Sequence, residues 1–260
     1  MLDGIDPERL RLAVFLGGLL SFGLVETLWP ARRWDLSRPR RWAAHASLAL
    51  FNTLLLRLTV ATPLVAWAVW VRAKGWGLAP ALGLSGWVEV AASVVALDLI
   101  DYWWHRFNHE WPFLWRFHRV HHADTHVDVT TALRFHFGEL LLSAGAKALW
   151  ILAWGPSVWG FALFEAGISL YAQFHHANFE LPGRVERVAR WVHLTPRLHA
   201  SHHTVSLRTR DANFATIFSV WDRLFGSFQE PDDAELRRLG LETGREDCLS
   251  PKALTLSAFQ

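Results

Sequence analysis

Histidines are the residues of this chain whose number and spacing most clearly predict chemistry. Thirteen of the fourteen lie between residues 105 and 203, and most of them fall in four short groups. Residues three or four positions apart share one face of a helix, so a group with that spacing presents its imidazoles on a common side. The groups are HRFNH with His105 and His109, HRVHH with His118, His121 and His122, FHHAN with His175 and His176, and HASHH with His199, His202 and His203.

This density of imidazoles predicts a metal centre. A neutral imidazole offers one ring nitrogen to a metal ion and its other N–H to a hydrogen-bond acceptor. Eight or nine imidazoles are more than one tetrahedral or octahedral ion can use, so we expect two ions. The single cysteine, Cys248, excludes an intrachain disulfide and a cysteine-rich zinc site. The ligands must then be histidines and carboxylates.

Acceptors for the second N–H are also present in the sequence. Asp98 and Asp101 precede the first group by helical steps. The acceptors that follow or flank the other groups are Asp124, Asp128, Asn178, Asp211 and Asn213. His45 stands alone near the start of an apolar run, so we expect an interfacial or core residue. A ligand role and a structural role both stay open for the other isolated histidines, His126, His136 and His193.

Four apolar runs must position these groups. Hydrophobic residues make up 52% of the chain and charged residues 19%, which is apolar for a soluble protein. The runs cover residues 12–29, 43–71, 85–104 and 140–174, and Gly155 and Pro156 break the last one into a hairpin that either crosses fully or is re-entrant. We predict an all-α polytopic membrane protein with about four transmembrane helices or helical hairpins and a cytosolic, helical, histidine-rich cap.

The distribution of arginines predicts the orientation of this protein. Residues 31–42 carry five arginines, whereas the segment between the second and third runs carries one arginine and one lysine. Short loops rich in arginine and lysine stay in the cytoplasm. Counting crossings from that loop places every histidine group on the cytoplasmic side. The net charge of +2, without one basic face, does not predict nucleic-acid binding.

The order of the motifs resembles the fatty acid hydroxylase superfamily, which includes the sterol desaturases, and is most similar to its compact bacterial-type members. Within residues 98–228 the motifs are HRFNH, HRVHH, TTALRFHFGE, HHAN, TPRLHASHH, DANF and WDRLFGSF. The resemblance implies an α-helical membrane protein whose cytosolic histidines bind two iron ions, Fe2+ or Fe3+. It also implies an oxidoreductase that uses O2 to hydroxylate or desaturate a lipid, whether a fatty acyl, sterol or related alkyl chain.

The resemblance further implies which residues bind the iron ions. The ligands carried over by motif are His105, His109, His118, His121, His122, His176, His199, His202 and His203. Related sequences often have glutamine at the place of His175, so its role is less defined. The further candidates, as ligands or as acceptors for the ligands, are His175, His136, Asp101, Asp124, Asn178 and Asp211.

We expect three regions along the chain. Residues 1–104 form an N-terminal transmembrane region, residues 105–230 form a histidine-rich catalytic region that includes the membrane hairpin 140–174, and residues 231–260 form a polar peripheral tail. One fatty acid hydroxylase-type domain covers about residues 90–230. The bacterial-type motif order favours a bacterial inner membrane, with the histidine cluster and the C-terminus in the cytoplasm.

The reaction also predicts partners. Hydroxylation or desaturation consumes two electrons, yet the chain has no flavin or dinucleotide fingerprint, no cysteine cluster and no His-Pro-Gly-Gly haem motif. A separate donor is expected, a ferredoxin or a cytochrome b-type carrier with an NAD(P)H reductase, beside the membrane lipid substrate. Four arginines either steer an acidic carrier or contact phospholipid; they are Arg184, Arg187, Arg190 and Arg208.

Two other functions are compatible with a histidine-rich membrane protein. A zinc-dependent membrane hydrolase needs three or four ligands and a general-base glutamate, as in H-E-x-x-H, and this motif does not occur. A non-catalytic metal-binding or transport protein holds its site near the bilayer midplane on broken spans. The histidines here follow the ends of the apolar runs instead, which favours the oxidoreductase.

Overall fold

The predicted all-α fold is confirmed. The computed structural model describes residues 6–33, 35–59, 61–245, 248–250 and 254–255. Within these ranges the chain forms twelve α-helices and two 3-10 turns, Val129–Leu133 and Glu235–Arg237, and no strand. The helices are α1 (Pro7–Leu28), α2 (Arg38–Thr59), α3 (Ala61–Ala73), α4 (Leu78–Ala81), α5 (Gly86–Glu110), α6 (Pro112–His122), α7 (Phe137–Trp154), α8 (Val158–His176), α9 (Gly183–Ala189), α10 (Pro196–His202), α11 (Leu207–Arg210) and α12 (Val220–Leu224).

The first helix presents an apolar face to its surroundings. Asp6 caps α1 by accepting a hydrogen bond from the backbone amide of Glu8, and Pro7 takes the first helical position. One face packs along α8, where Gly18 allows a close approach. The opposite face carries exposed leucines four residues apart, which indicates contact with lipid. They are Leu12, Leu16, Leu20, Leu24 and Leu28.

Two helices of the described chain, α1 and α7, are long and apolar enough to cross a membrane. A third candidate is a pair of helical segments, Leu64–Ala81 and Gly86–Glu110, whose direction bends by 83° at the break between them. The predicted number of about four spans is therefore not confirmed. The run predicted over residues 43–71 forms two helices, α2 and α3, and residue 60 between them lies outside the described residues.

The second helix turns a polar face towards the histidine-rich segments. Arg41, His45 and Asn52 are buried and occupy one side of α2. Arg41 forms an ion pair with Asp124, and His45 Nδ1 lies 2.9 Å from Thr130 Oγ1. These contacts make His45 a core residue, as expected, and explain why polar residues interrupt this apolar run.

The α7–α8 hairpin breaks at the predicted place. Gly155 ends α7 in the left-handed conformation, with φ 69°, and Ser157 caps α8. Gly77 packs so closely against this turn that a Cβ there would overlap the backbone of Trp154, so glycine is required. The two helices have 18 and 19 residues, about 27 and 29 Å at 1.5 Å per residue. Each helix is therefore nearly as long as the hydrocarbon core of a bilayer is thick, about 30 Å.

The arginine-rich loop lies at the histidine end of the bundle. The buried carboxylate of Glu26, near the end of α1, accepts hydrogen bonds from the backbone amides of Val129 and Asn178, both at 2.9 Å. The amide of Arg32 donates to Asn178 Oδ1 at 3.0 Å. The turn at Gly155 lies at the opposite end. The basic loop and the histidines thus occupy the same end, as the topology argument requires.

The segment after Glu230, predicted to be a polar peripheral tail, places apolar side chains inside the protein. Arg134 Nη2 donates to the carbonyl of Cys248 at 2.7 Å, and the amide of Gly240 donates to the carbonyl of His203 at 2.8 Å. Widely spaced leucines in a polar segment leave its mean hydropathy low, so the sequence alone hides this packing. The buried residues are Leu236, Leu239, Leu241 and Cys248.

Candidate metal centre

Nine histidines form two adjacent groups, and within each group the potential ligand nitrogens all lie within 4.8 Å of one another. The groups touch, since the rings of His122 and His203 stack with their centroids 4.4 Å apart. The first group is His105, His109, His118, His122 and His202, and the second is His121, His176, His199 and His203. The fold thus brings together all nine residues that the resemblance implied as ligands.

The i, i+3, i+4 spacing lets one helix serve both groups. α6 directs His118 and His122, one turn apart, into the first group and His121 into the second. α10 and the residue that caps its C-terminus do the reverse. His202 belongs to the first group, and His199 and His203 belong to the second. Thr195 caps this short helix, and Pro196 occupies its first position. The ends of α5 and α8 complete the groups with His105 and His109 in the first and His176 in the second.

The outer nitrogens of six histidines contact acceptors. A carbonyl or an ionised carboxylate only accepts hydrogen bonds, so each Nδ1 carries the hydrogen and each Nε2 is left with a lone pair. The backbone contacts are His105 to Phe214 O at 2.8 Å, His121 to Arg134 O at 3.1 Å, His176 to Ala172 O at 2.6 Å and His202 to Ala212 O at 2.7 Å. The carboxylate contacts are His118 to Glu139 at 2.8 Å and His109 to Asp211 at 3.1 Å.

The inner nitrogens then face one another without a hydrogen between them. His105 and His202 approach with their Nε2 atoms 3.1 Å apart, and His121 and His176 approach at 3.0 Å. Two ligands about 2.1 Å from one ion and at right angles to each other lie about 3 Å apart. A cation is what such converging lone pairs can bind, so the two groups fit a pair of metal ions.

Burial keeps these imidazoles neutral. It lowers the pKa of His202 to about 3, and the neighbouring His118 and His176 add to this effect. Burial, followed by the proximity of other histidines, also lowers the pKa of His199 and His203 well below the ordinary value. Neutral imidazole is the form that binds a metal ion, so the site is ready for metal without first losing protons.

The two histidines that were further candidates, His175 and His136, lie outside both groups. The ring of His175 is buried and its centroid lies 3.9 Å from that of His199, but neither of its nitrogens has a hydrogen-bond partner among the described residues. His136 instead caps α7, where its Nδ1 accepts from the amide of Gly138 at 2.9 Å. Its Nε2 lies 2.9 Å from the carbonyl of Thr255. His136 thus belongs to neither group.

The four polar candidates differ in what they contact. Asp211 reaches His109, as described. Asp101 accepts from Thr216 Oγ1 at 2.6 Å, while Asp124 pairs with Arg41 and Asn178 with the arginine-rich loop. The last two hold the segments between the histidine groups, and the side-chain contacts that fix them are to Arg41 and to the arginine-rich loop rather than to a proposed ligand.

Sequence reasoning missed Glu139 and the carbonyls around Asn213. Glu139 belongs to the motif TTALRFHFGE, which contributed to the resemblance without any role for this glutamate. Asn213 has φ 56°, a left-handed conformation that asparagine tolerates better than most residues. The carbonyls on either side of it, those of Ala212 and Phe214, accept from His202 and His105. The motif DANF was the signal for this turn.

A cavity of about 220 Å³ extends from the histidines between α5, α7 and α8. His118 and His121 from the two groups line it, and His175 does so as well. Polar side chains, among them Asp101 and Asn108, also line it, but most of the surface that it offers is apolar, which suits an alkyl chain. The apolar lining residues are Trp104, Phe135, Leu140, Ile168, Ala172 and Ala215.

Comparison with known proteins adds to this geometry. The family model for "Fatty acid hydroxylase" matches residues 90–227, more than half of the chain. An alkylglycerol monooxygenase of Danio rerio is 33% identical over 140 residues, which cover 54% of this chain and 30% of that protein. The ornithine lipid hydroxylase OlsE of Rhizobium tropici is 28% identical over 158 residues, 60% of this chain and 46% of that protein.

Another relative covers more of the chain. A cholesterol 25-hydroxylase-like protein of Danio rerio is 26% identical over 239 residues, which cover 85% of this chain and 89% of that protein. The chain spans less than half the length of the first two relatives. No solved structure matches it.

Proposed function

Since this chain belongs to the fatty acid hydroxylase family, we propose that it is a membrane-embedded di-iron oxidoreductase that uses O2 to hydroxylate or desaturate a lipid. Two groups of inward-facing imidazole nitrogens carry this proposal. The first group would hold one iron ion and the second the other. Iron bound there supplies the redox chemistry that attacks an unactivated C–H bond, which no side chain can perform.

The residues of the chain orient the ligands and the substrate. The carbonyls of Ala212 and Phe214 and the carboxylate of Glu139 fix the ring orientation of the histidines that they contact, which keeps each Nε2 directed inward. The apolar cavity holds an alkyl chain beside His118 and His121 and excludes water from the reacting carbon. His175, which is buried and lines the same cavity, stays a candidate ligand.

The proposed reaction requires an external supply of electrons. Hydroxylation converts R–H, O2, two electrons and two protons into R–OH and water. Desaturation removes two hydrogens from the chain and, with two further electrons and two protons, reduces O2 to two waters. We propose a ferredoxin or a cytochrome b-type carrier, reduced by an NAD(P)H reductase, as the donor. The names of the relatives support a lipid substrate: an alkylglycerol, an ornithine lipid and cholesterol.

We also propose that the histidine end faces the cytoplasm of a bacterial cell. The support is the arginine-rich loop at that end and the Rhizobium tropici relative. Reporter fusions after Gln260 and within residues 72–77 should report opposite sides of the membrane, with the first on the cytoplasmic side. Fusions that report one side would exclude this arrangement.

Metal analysis and lipid profiling test the proposed reaction. Purified protein should contain about two irons per chain, and a deletion strain should lack a hydroxylated or unsaturated lipid that the wild-type gene restores. Zinc at full occupancy, with hydrolysis products in place of oxidised lipid, would favour the membrane hydrolase. Loosely exchangeable metal, together with unchanged lipids in the deletion strain, would favour a non-catalytic metal-binding or transport protein.

A further inference from the structure

An ion pair lies inside the α7–α8 hairpin, away from the histidine groups. Lys147 Nζ lies 2.7 Å from Glu165 Oε1, and Arg11 Nη2 lies 3.3 Å from Glu165 Oε2. Lys147 and Glu165 occupy the central parts of their helices. Charged groups at such a depth are costly in a membrane and mark binding sites or transport pathways. Nothing in the metal centre uses this pair.

Lys147 is shared by two cavities. It lines the cavity of about 220 Å³ together with His118 and His121. With Glu165 it also lines a wider cavity of about 770 Å³ between α1, α2, α3, α7 and α8. Ser143, one turn before Lys147 on α7, borders both cavities as well. The ion pair therefore lies where a lipid in the wide cavity would enter the cavity of the histidines.

The pair offers both kinds of hydrogen-bonding group. An ammonium only donates and a carboxylate only accepts. The side chain of Lys147 is 28% exposed and that of Glu165 14%, so both can reach a molecule in the cavity. Arg11 also contacts Glu8 at 2.9 Å, so the two positive and two negative groups joined by ion pairs balance. Asp101, a further carboxyl in the wall of the cavity of about 220 Å³, accepts a hydrogen bond from Thr216 instead. A balanced site favours an uncharged group that both donates and accepts, and a hydroxyl group is the simplest one.

We propose that Lys147 and Glu165 bind the hydroxyl group of a lipid whose apolar part extends to the histidines. This inference rests on the proposed function only for the oxidation of the lipid at the histidine groups; the binding of the hydroxyl group does not depend on it. Glu139, beside His118, and Lys147 are eight residues apart on α7, about 12 Å along the helix. This distance equals roughly ten C–C bonds of an extended chain. The site would thus select which carbon lies at the metal centre.

Binding to the full-length protein in lipid nanodiscs tests the proposal. The probes are tritiated 1-hexadecanol and n-hexadecane, which differ only in the hydroxyl group, corrected for partition into empty nanodiscs. Wild type should bind the alcohol about tenfold more tightly. The double variant Lys147→Met/Glu165→Met should lose that preference. Both charges are replaced together because an apolar pair is often tolerated, whereas a single replacement leaves a buried charge unpaired.

The matched control is Lys74→Met, the same substitution at an exposed lysine outside both cavities. It should keep the wild-type preference. Equal binding of the two probes by wild type would overturn the proposal, and so would a preference that survives in a folded double variant. Neither measurement needs metal or turnover, so a failure of hydroxylase activity and a failure of this site are distinguishable.

A second measurement uses wild type alone and does not depend on the folding of a variant. 1-Hexadecanol with a diazirine at its third carbon is bound, irradiated and mapped by peptide mass spectrometry. Labels should fall within residues 143–147 and 161–165, around the ion pair. Labels confined to the histidine end, or to the exposed leucines of α1, would overturn the proposal.

Discussion

The Nδ1 atom of His118 lies 2.8 Å from Oε1 of Glu139, and both side chains are buried. The carboxylate accepts the Nδ1 hydrogen, so the lone pair of Nε2 is free to bind a cation. This Nε2 has no hydrogen-bond partner among the described residues. Glu139 also lines the cavity of about 220 Å³, and it therefore connects the orientation of a proposed ligand with the wall of the proposed substrate site.

Replacement of Glu139 should weaken metal binding more than it weakens the fold. Loss of a carboxylate that orients a ligand typically lowers metal affinity about 10- to 100-fold, and we expect this for Glu139→Ala. Glu139→Gln, which keeps an acceptor oxygen, should lose less. Metal content after dialysis against graded chelator concentrations measures both variants. The control is Glu110→Ala, which replaces an exposed glutamate next to His109 in the sequence. If this control bound metal as weakly as Glu139→Ala, Glu139 would have no specific role in orienting the ligand.

Direct removal of a proposed ligand should have a larger effect. His118→Ala, His122→Ala and His203→Ala should each abolish activity and lower the metal content, because the remaining imidazoles cannot restore the geometry. Circular dichroism should show unchanged helix content. The control is His126→Gln, outside both groups. His45 also lies outside both groups, but it is buried against Thr130, so His45→Ala would test folding rather than metal binding. Full activity in two of the three ligand variants would exclude the assignment.

The histidine groups could be predicted because their spacing is local. Residues at i, i+3 and i+4 share a helix face whatever the rest of the chain does, so the ligand candidates needed no tertiary information. Their partners did need it. Asp124 was predicted from its closeness to His122 in sequence, yet it turns away to Arg41, while the carbonyls of Ala212 and Phe214 arrive from a distant segment. Backbone acceptors carry no side-chain signature, so only the fold shows them.

The left-handed turn at Asn213 should be sensitive to substitution. Asn213 Oδ1 accepts from the amide of Gln229 at 3.1 Å, and its Nδ2 donates to the carbonyl of the same residue at 3.0 Å. Asn213→Gly keeps the backbone conformation and should cost about 1–2 kcal/mol for the lost hydrogen bonds. Asn213→Ala should cost about 1–2 kcal/mol more because a Cβ disfavours positive φ. Unfolding in detergent micelles measures this order, and an alanine variant as stable as the glycine variant would contradict it.

A buried carboxyl behind the same turn gives a pH dependence. Asp222 accepts from the amides of Phe214 and Ala215 at 2.7 and 3.0 Å, and burial raises its pKa to about 6, although these hydrogen bonds oppose the rise. Between the ordinary value of 3.8 and about 6 the folded state holds more protons than the unfolded state. The stability that protonated Asp222 contributes is therefore complete below 3.8 and is lost as the pH rises through about 6.

The measurement compares wild type with Asp222→Asn, whose side chain does not titrate. The difference in free energy of unfolding, wild type minus variant, should fall between pH 4 and pH 6 and stay constant above that range. Subtraction of the variant removes the titration of the histidines, which is common to both proteins. A difference that rises over the same interval would mean that the folded-state pKa of Asp222 is lowered instead.

The arginines considered for carrier docking differ in their surroundings. Arg190 is paired with Glu230, and Arg208 with Glu235, so their charges are offset. Arg184 and Arg187 are exposed on α9. Around them the surface is apolar, with Val185, Val188, Trp191 and Val192 between 46% and 73% exposed. Basic residues interleaved with exposed apolar ones are typical of a segment that lies in a membrane interface, which favours phospholipid contact for α9.

This interpretation predicts that α9 touches the acyl chains of the bilayer. Val188→Cys, labelled with an environment-sensitive fluorophore and reconstituted into vesicles, should be strongly quenched by lipids brominated near the headgroup end of the chain. Arg208→Cys, labelled in the same way, should be quenched much less because its side chain points away to Glu235. The native Cys248 is buried and should not react in folded protein. Equal quenching at the two positions would contradict contact between α9 and the acyl chains. Arg184 and Arg187 would then be available to a soluble electron carrier, and the salt dependence of reduction by a ferredoxin would test that role.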